Sequence, residues 1–116
     1  MALYHGTNNG VVDSICRFGF NRSFCGVNGV AYGQGVYFSS SSAYSHNYTE
    51  RHTKQSSMFR VRVLVGETTL GNSSMKVPPK KASGDLYDST CDQQKSIFVC
   101  YHDNQCYPEY LITYRA

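Results

Sequence analysis

Residues 57–71, SMFRVRVLVGETTLG, set Phe59, Val61, Val63 and Val65 against Arg60 and Arg62 in strict alternation. Apolar side chains at every second position suit a pleated strand with one face buried and the other wet, and do not suit a helix. A half-buried strand cannot stand alone, so the rest of the chain has to supply its neighbours and a covering layer. The candidates are short. ALYH near the start and VYFS at 36–39 read as strands, and SIFVCYH and YPEYLITYR read as two apolar strands that close the chain. Between the first two, NNGVVDSICRFGF carries Val11, Val12, Ile15 and Phe18 at helical spacing, with Gly19 as a stop. SSSAYSHNY reads as a short helix opened by a serine cap. NRSFCGVNGVAYGQG is glycine-rich and polar, hence loop, and KVPPKKASGDLYDSTCDQQ, with two prolines and no period, reads as a long loop. Many short strands with two small helices give an α+β sheet domain, and 116 residues allow one domain, residues 1–116, and no more.

Composition narrows the function classes. The formal charge is +3, and Lys76, Lys80 and Lys81 form the sole basic cluster, which reads as solvated loop. No duplex nucleic acid or membrane surface is therefore expected as a direct partner. No apolar stretch reaches transmembrane length and no secretory leader is visible, so the expected location is intracellular, cytoplasmic or nuclear. Five cysteines, an odd number without CxxC spacing, read as reduced thiols. His46, His52 and the scattered cysteines do not make a zinc pattern, so no metal is expected. Ten tyrosines and no tryptophan leave phenol rings for stacking as well as for core.

Taken singly, the chemistry-bearing residues have ordinary explanations. His5 could be a half-buried strand histidine, Tyr37 and Tyr48 core rings, and the glycines turn residues. Their order changes that. YHGT, then YGQGVYFSSSSAYSHNY, then SIFVCYHDNQCYPEYLITYR, with GFNRS, VPP and DLYDS between them, resembles the catalytic domain of the poly(ADP-ribose) polymerase family. These are diphtheria-toxin-like ADP-ribosyltransferases, and the likeness is strongest to the macrodomain-containing members that transfer a single ADP-ribose. It runs from Leu3 to Tyr114. The resemblance implies an ADP-ribosyltransferase fold, a mainly antiparallel, split β-sheet with short flanking helices. It also implies that the usual N-terminal part of the domain is missing, leaving the C-terminal, NAD-binding portion.

The same resemblance implies roles. His5 matches the first signature residue, which bonds a hydroxyl of the nicotinamide-side ribose. Gly6 matches the glycine whose backbone holds the nicotinamide carboxamide, and its lack of a side chain suits close approach of a ligand. Tyr37 matches the second signature residue, stacked on the nicotinamide ring. Ser45 and Tyr48, eight and eleven residues further on, match the serine that bonds the carboxamide and the tyrosine on the other ring face. Arg22 and the loop through Gly35 match the segment over the adenosine and pyrophosphate. Two phenol faces suit a flat cationic ring through stacking and cation–π attraction.

At the third signature position polymer-forming members keep a glutamate, and here the aligned residue is Ile97. Glu109 reads as a structural residue of the last strand. An isoleucine can neither accept a hydrogen bond nor take a proton, and general-base help is worth about 10²–10⁴ in rate. Chain growth through a sugar hydroxyl should then be lost. Single transfer from NAD+, as co-substrate, to Glu, Asp, Cys or Ser side chains of acceptor proteins is the expected reaction. The alternatives are an inactive NAD- or ADP-ribose-binding or scaffold module, and NAD-dependent removal of a 2′-phosphate from RNA.

Overall fold

The computed structural model describes residues 1–20, 31–49 and 55–115. Seven strands form one mixed sheet: β1 (Ala2–Thr7), β2 (Val36–Ser39), β3 (Ser56–Val63), β4 (Thr68–Leu70), β5 (Ser89–Cys91), β6 (Ile97–Cys100) and β7 (Cys106–Tyr114). They lie in the order β4-β5-β6-β2-β1-β3-β7. Every pairing is antiparallel except β4 with β5. Among the described residues two short α-helices flank the sheet, α1 (Val12–Phe18) and α2 (Ser42–His46). This is the α+β arrangement that the sequence predicts, with the mainly antiparallel pairing that the resemblance implies.

The alternation in β3 does what its period requires. Phe59, Val61 and Val63 are buried while Arg60 and Arg62 are exposed. They join Leu3 of β1, Val36 and Phe38 of β2, Phe98 and Cys100 of β6, and Ile15 of α1 in one apolar cluster. β3 ends at Val63 instead of running on through residues 64–71. Gly66, at φ +60°, turns the chain away, and a Cβ there would meet the Asp88 carboxylate at 2.3 Å. That carboxylate accepts the Glu67 N–H at 2.8 Å.

Two expectations need correction. Phe18 fits the helical period but is 80% exposed, because Gly19 ends the helix at φ +77° and redirects the chain so that Phe20 enters the core. The stretch 76–94, read as loop throughout, contains the buried strand β5. Three residues are too few to show a period.

The sheet is split where it matters. β1 pairs with β3 along its whole length, but meets β2 only at Tyr4↔Ser39. Continuing that register would set Gly6 opposite Tyr37, yet the two strands are unpaired there. A seam opens between the C-terminal end of β1 and the N-terminal end of β2.

Candidate functional site

Strand alternation sorts the expected site residues around this seam. The pairs Tyr4↔Ser39, Ser39↔Ile97 and Tyr37↔Val99 put Tyr4, Gly6, Tyr37, Ser39, Ile97 and Val99 on one face. His5, with Phe38 and Phe59, belongs to the other, core-side face. The His5 ring is half-buried, edge-on to Phe20 at 4.9 Å and tilted against Phe38 at 5.5 Å. It reaches across the seam, its Nδ1 lying 2.7 Å from the Tyr37 carbonyl oxygen. A carbonyl only accepts, so Nδ1 carries the hydrogen and Nε2 of the neutral ring keeps a lone pair. Burial lowers the imidazole pKa from its usual value, and the bond to the Tyr37 carbonyl offsets this only in part.

On the opposite face α2 seats the other candidates. Ser41 caps it, accepting the Tyr44 N–H at 3.2 Å. Ser45 is buried and donates its hydroxyl to the Tyr4 carbonyl at 3.0 Å. A Cβ on Gly6 would lie 1.8 Å from the Ser45 carbonyl oxygen. Glycine is therefore required here by helix–strand packing, whatever a ligand also demands. Tyr48 is half-buried, its hydroxyl 2.8 Å from that of Tyr44. Tyr44 has no motif of its own, and its i, i+4 spacing from Tyr48 is the one signal in the sequence for this pair.

Tyr37 is half-buried and its hydroxyl is fully engaged, accepting the Tyr32 N–H and donating to the Gly33 carbonyl, both at 2.8 Å. Burial pushes its phenol up to about 12, so it stays protonated at any physiological pH. Arg22 and residues 21–30 of the glycine-rich stretch lie outside the described residues.

Ile97 opens β6 opposite Ser39 and is 9% exposed. The buried Asp92, missed in the sequence, fixes its backbone: one carboxylate oxygen accepts the Ser96 and Ile97 N–H groups at 2.8 and 3.0 Å, the other the Ser96 hydroxyl at 2.9 Å. Desolvation pushes this carboxyl up, but those three hydrogen bonds outweigh it and hold it below its usual value. Glu109 sits on β7, beyond β3 from the seam, and is paired with Arg62. It is the extra residue of a β-bulge, since Arg60 faces Tyr110 and Val61 faces Pro108. Among the described residues no group of three His, Cys, Asp or Glu side chains is placed to hold a metal ion, and no helix is long and apolar enough to cross a membrane.

Residues 1–76 match the family model of the poly(ADP-ribose) polymerase catalytic domain. The chain belongs to that family. It is 46% identical over 116 residues to human (Homo sapiens) protein mono-ADP-ribosyltransferase PARP12, which covers 97% of this chain and 16% of that protein. It is 46% identical over 121 residues to human PARP14, covering 97% and 7%, and 45% identical over 118 residues to PARP10 of Mus musculus, covering 96% and 12%. Both of these also carry the name protein mono-ADP-ribosyltransferase. The chain thus spans less than a fifth of the length of these relatives.

Proposed function

We propose that this chain binds NAD+ at the β1–β2 seam and places a single ADP-ribose on protein side chains, releasing nicotinamide. The observation that carries the reading is the His5 imidazole, locked by the Tyr37 carbonyl in the tautomer whose Nε2 accepts a hydrogen bond. The printed names of the relatives support the reaction class.

In this reading Nε2 of His5 accepts a ribose hydroxyl. Gly6 offers main-chain groups to the carboxamide at the point where β1 has no β2 partner, and the Ser45 oxygen, its hydrogen committed to Tyr4, accepts an amide N–H. Tyr37 and Tyr48 supply the ring faces, and Arg22 the adenosine side. The substrate brings its own leaving group: the C1′–N bond breaks, nicotinamide leaves with the electron pair, and a carboxylate oxygen or thiolate sulfur of the acceptor, already deprotonated, forms the new bond to C1′ with its own lone pair. The chain contributes orientation, which needs no covalent enzyme intermediate. At Ile97 no side-chain base stands ready, and both Asp92 oxygens are occupied. An acceptor that is already nucleophilic, a carboxylate or thiolate, reacts; a sugar hydroxyl does not. Transfer stops at one unit.

Incubation with labelled NAD+ and candidate acceptor proteins tests this, comparing the unaltered chain with His5→Ala and Tyr37→Ala. Label limited to one ADP-ribose per site and lost in both variants is the expected result. Long polymers would refute single transfer, and tight NAD+ binding without transfer would leave a binding module. The pH profile adds a second check. Protonation removes the Nε2 acceptor, and with the imidazole pKa lowered, the acid limb of kcat/KM should lie below about 6.5, the ordinary histidine value.

A further inference from the structure

Behind Tyr37 lies a buried polar chain that the proposed chemistry does not use. Thr90 of β5 and Tyr101, just past β6, are both buried. Val99 pairs with Tyr37 on one side and Thr90 on the other, so these side chains stand in one row on one face of the sheet. Thr90 donates its hydroxyl to the Tyr32 carbonyl at 2.8 Å. Its only hydrogen is then committed, so the Tyr101 hydroxyl, 2.7 Å away, is the donor between them. The Tyr32 N–H goes to the Tyr37 hydroxyl, which donates in turn to the Gly33 carbonyl. Two short runs of hydrogen bonds thus meet at Tyr32: Tyr101 to Thr90 to the Tyr32 carbonyl, and the Tyr32 N–H to Tyr37 to the Gly33 carbonyl, joined through the Tyr32 backbone.

There is no slack in it. A Cβ on Gly33, at φ +141°, would fall 1.9 Å from the Tyr101 hydroxyl, and one on Gly71 would fall 1.8 Å from the Tyr32 carbonyl oxygen. The next residue is also tied, the Gln34 N–H donating to the Met75 carbonyl at 2.7 Å. The backbone that anchors the Tyr37 phenol is therefore set by Thr90 and Tyr101.

We propose that Tyr101 and Thr90 are positioning residues that, through the Tyr32–Gly33 backbone, fix the Tyr37 ring for stacking on nicotinamide. This rests on the NAD+ reading above. Tyr101 touches no substrate in that reading; it acts on Tyr37 across three hydrogen bonds.

The test combines kinetics with amide hydrogen exchange on the chain. Tyr101→Phe keeps the ring and deletes the donor. It should raise KM for NAD+ by about three- to tenfold, the scale of one ordinary hydrogen bond, with kcat changed by less than about twofold. Adding Tyr101→Phe to Tyr37→Phe should cost NAD+ binding nothing further, because the ring is already detached from the Tyr32–Gly33 backbone. Thr90→Val should match Tyr101→Phe, and Thr90→Ser, which keeps the hydroxyl, should restore binding. Independently of NAD+, the Tyr32 amide should exchange faster in Tyr101→Phe while the β6 amides keep their protection. An unchanged Tyr32 amide would overturn the relay. So would a uniform loss of protection across β2, β5 and β6, which marks a merely structural cluster, or additive effects in the double variant. If the unaltered chain binds no NAD+, the proposed activity fails, and the Tyr32 amide still decides whether the relay exists.

Discussion

β6 and β7 are both apolar in sequence, and they end in opposite circumstances. Every residue of β6 is buried, whereas β7 is buried only at Cys106 and leaves Tyr107, Tyr110, Leu111 and Ile112 exposed. Sheet order explains it. β6 lies between β5 and β2, and β7 has β3 on one side and, among the described residues, no strand on the other. Apolar content marks a segment as strand; its place in the order decides whether that content is spent on the core. The candidate site follows the same division, for Tyr37, Ile97 and their supports stand on the β6 side, and Glu109 stands on the far side.

The largest contrast is in stability. Phe98→Ala in β6 should cost about 3–5 kcal/mol in urea unfolding, as a buried ring lost from a packed core. A cost within the range of a surface substitution would show that β6 is not central. Next is the seam. Gly6→Ala drives a Cβ against the Ser45 carbonyl, and overpacking of this kind costs about 1–3 kcal/mol. It should abolish transfer as well, because α2 has to move; full activity would mean that the strand–helix contact does not shape the site.

Asp92→Ala comes third, leaving the Ile97 and Ser96 N–H groups without their acceptor at about 1–3 kcal/mol. The sign with pH is fixed by the depressed pKa of this carboxyl. Its contribution is full above the unfolded value, roughly 3.9, and is lost as pH falls through the lower folded value. The difference between wild type and variant should therefore close in strong acid, and a gap that persists there would reject the carboxylate as its source. Smallest are the changes on β7. Glu109→Gln removes an ion pair with Arg62, whose side chain is 69% exposed, and should cost less than about 1 kcal/mol, with transfer unaffected. Lost transfer in this variant would put Glu109 in the site after all.

How far the sequence alone could go follows from the same physics. β1, β2, β3, α2, β6 and β7 were readable because alternation, apolar runs and a serine cap are local signals. β4 and β5 were not, since strands of three residues are defined by their partners. The helical period over Val12–Phe18 named the wrong phenylalanine, because a period cannot register that Gly19 has already turned the chain. The imidazole, the glycine beside it and the two candidate tyrosines were visible through an ordered resemblance spread over the whole chain. Their supports, Asp92, Thr90 and Tyr101, were not. Each acts on backbone distant in sequence or on a turn whose shape is set by the folded state.

The bulge at Glu109 has a consequence for crowded solutions. Among the described residues the outer side of β7 pairs with no strand, and a border of this kind, rich in Tyr, Leu and Ile, invites a neighbouring molecule to zip on, the first step toward fibrils. The extra residue breaks the even spacing of amides along that border, and Pro108 beside it offers no N–H at all. Straightening the border by deleting Glu109 should strengthen self-association.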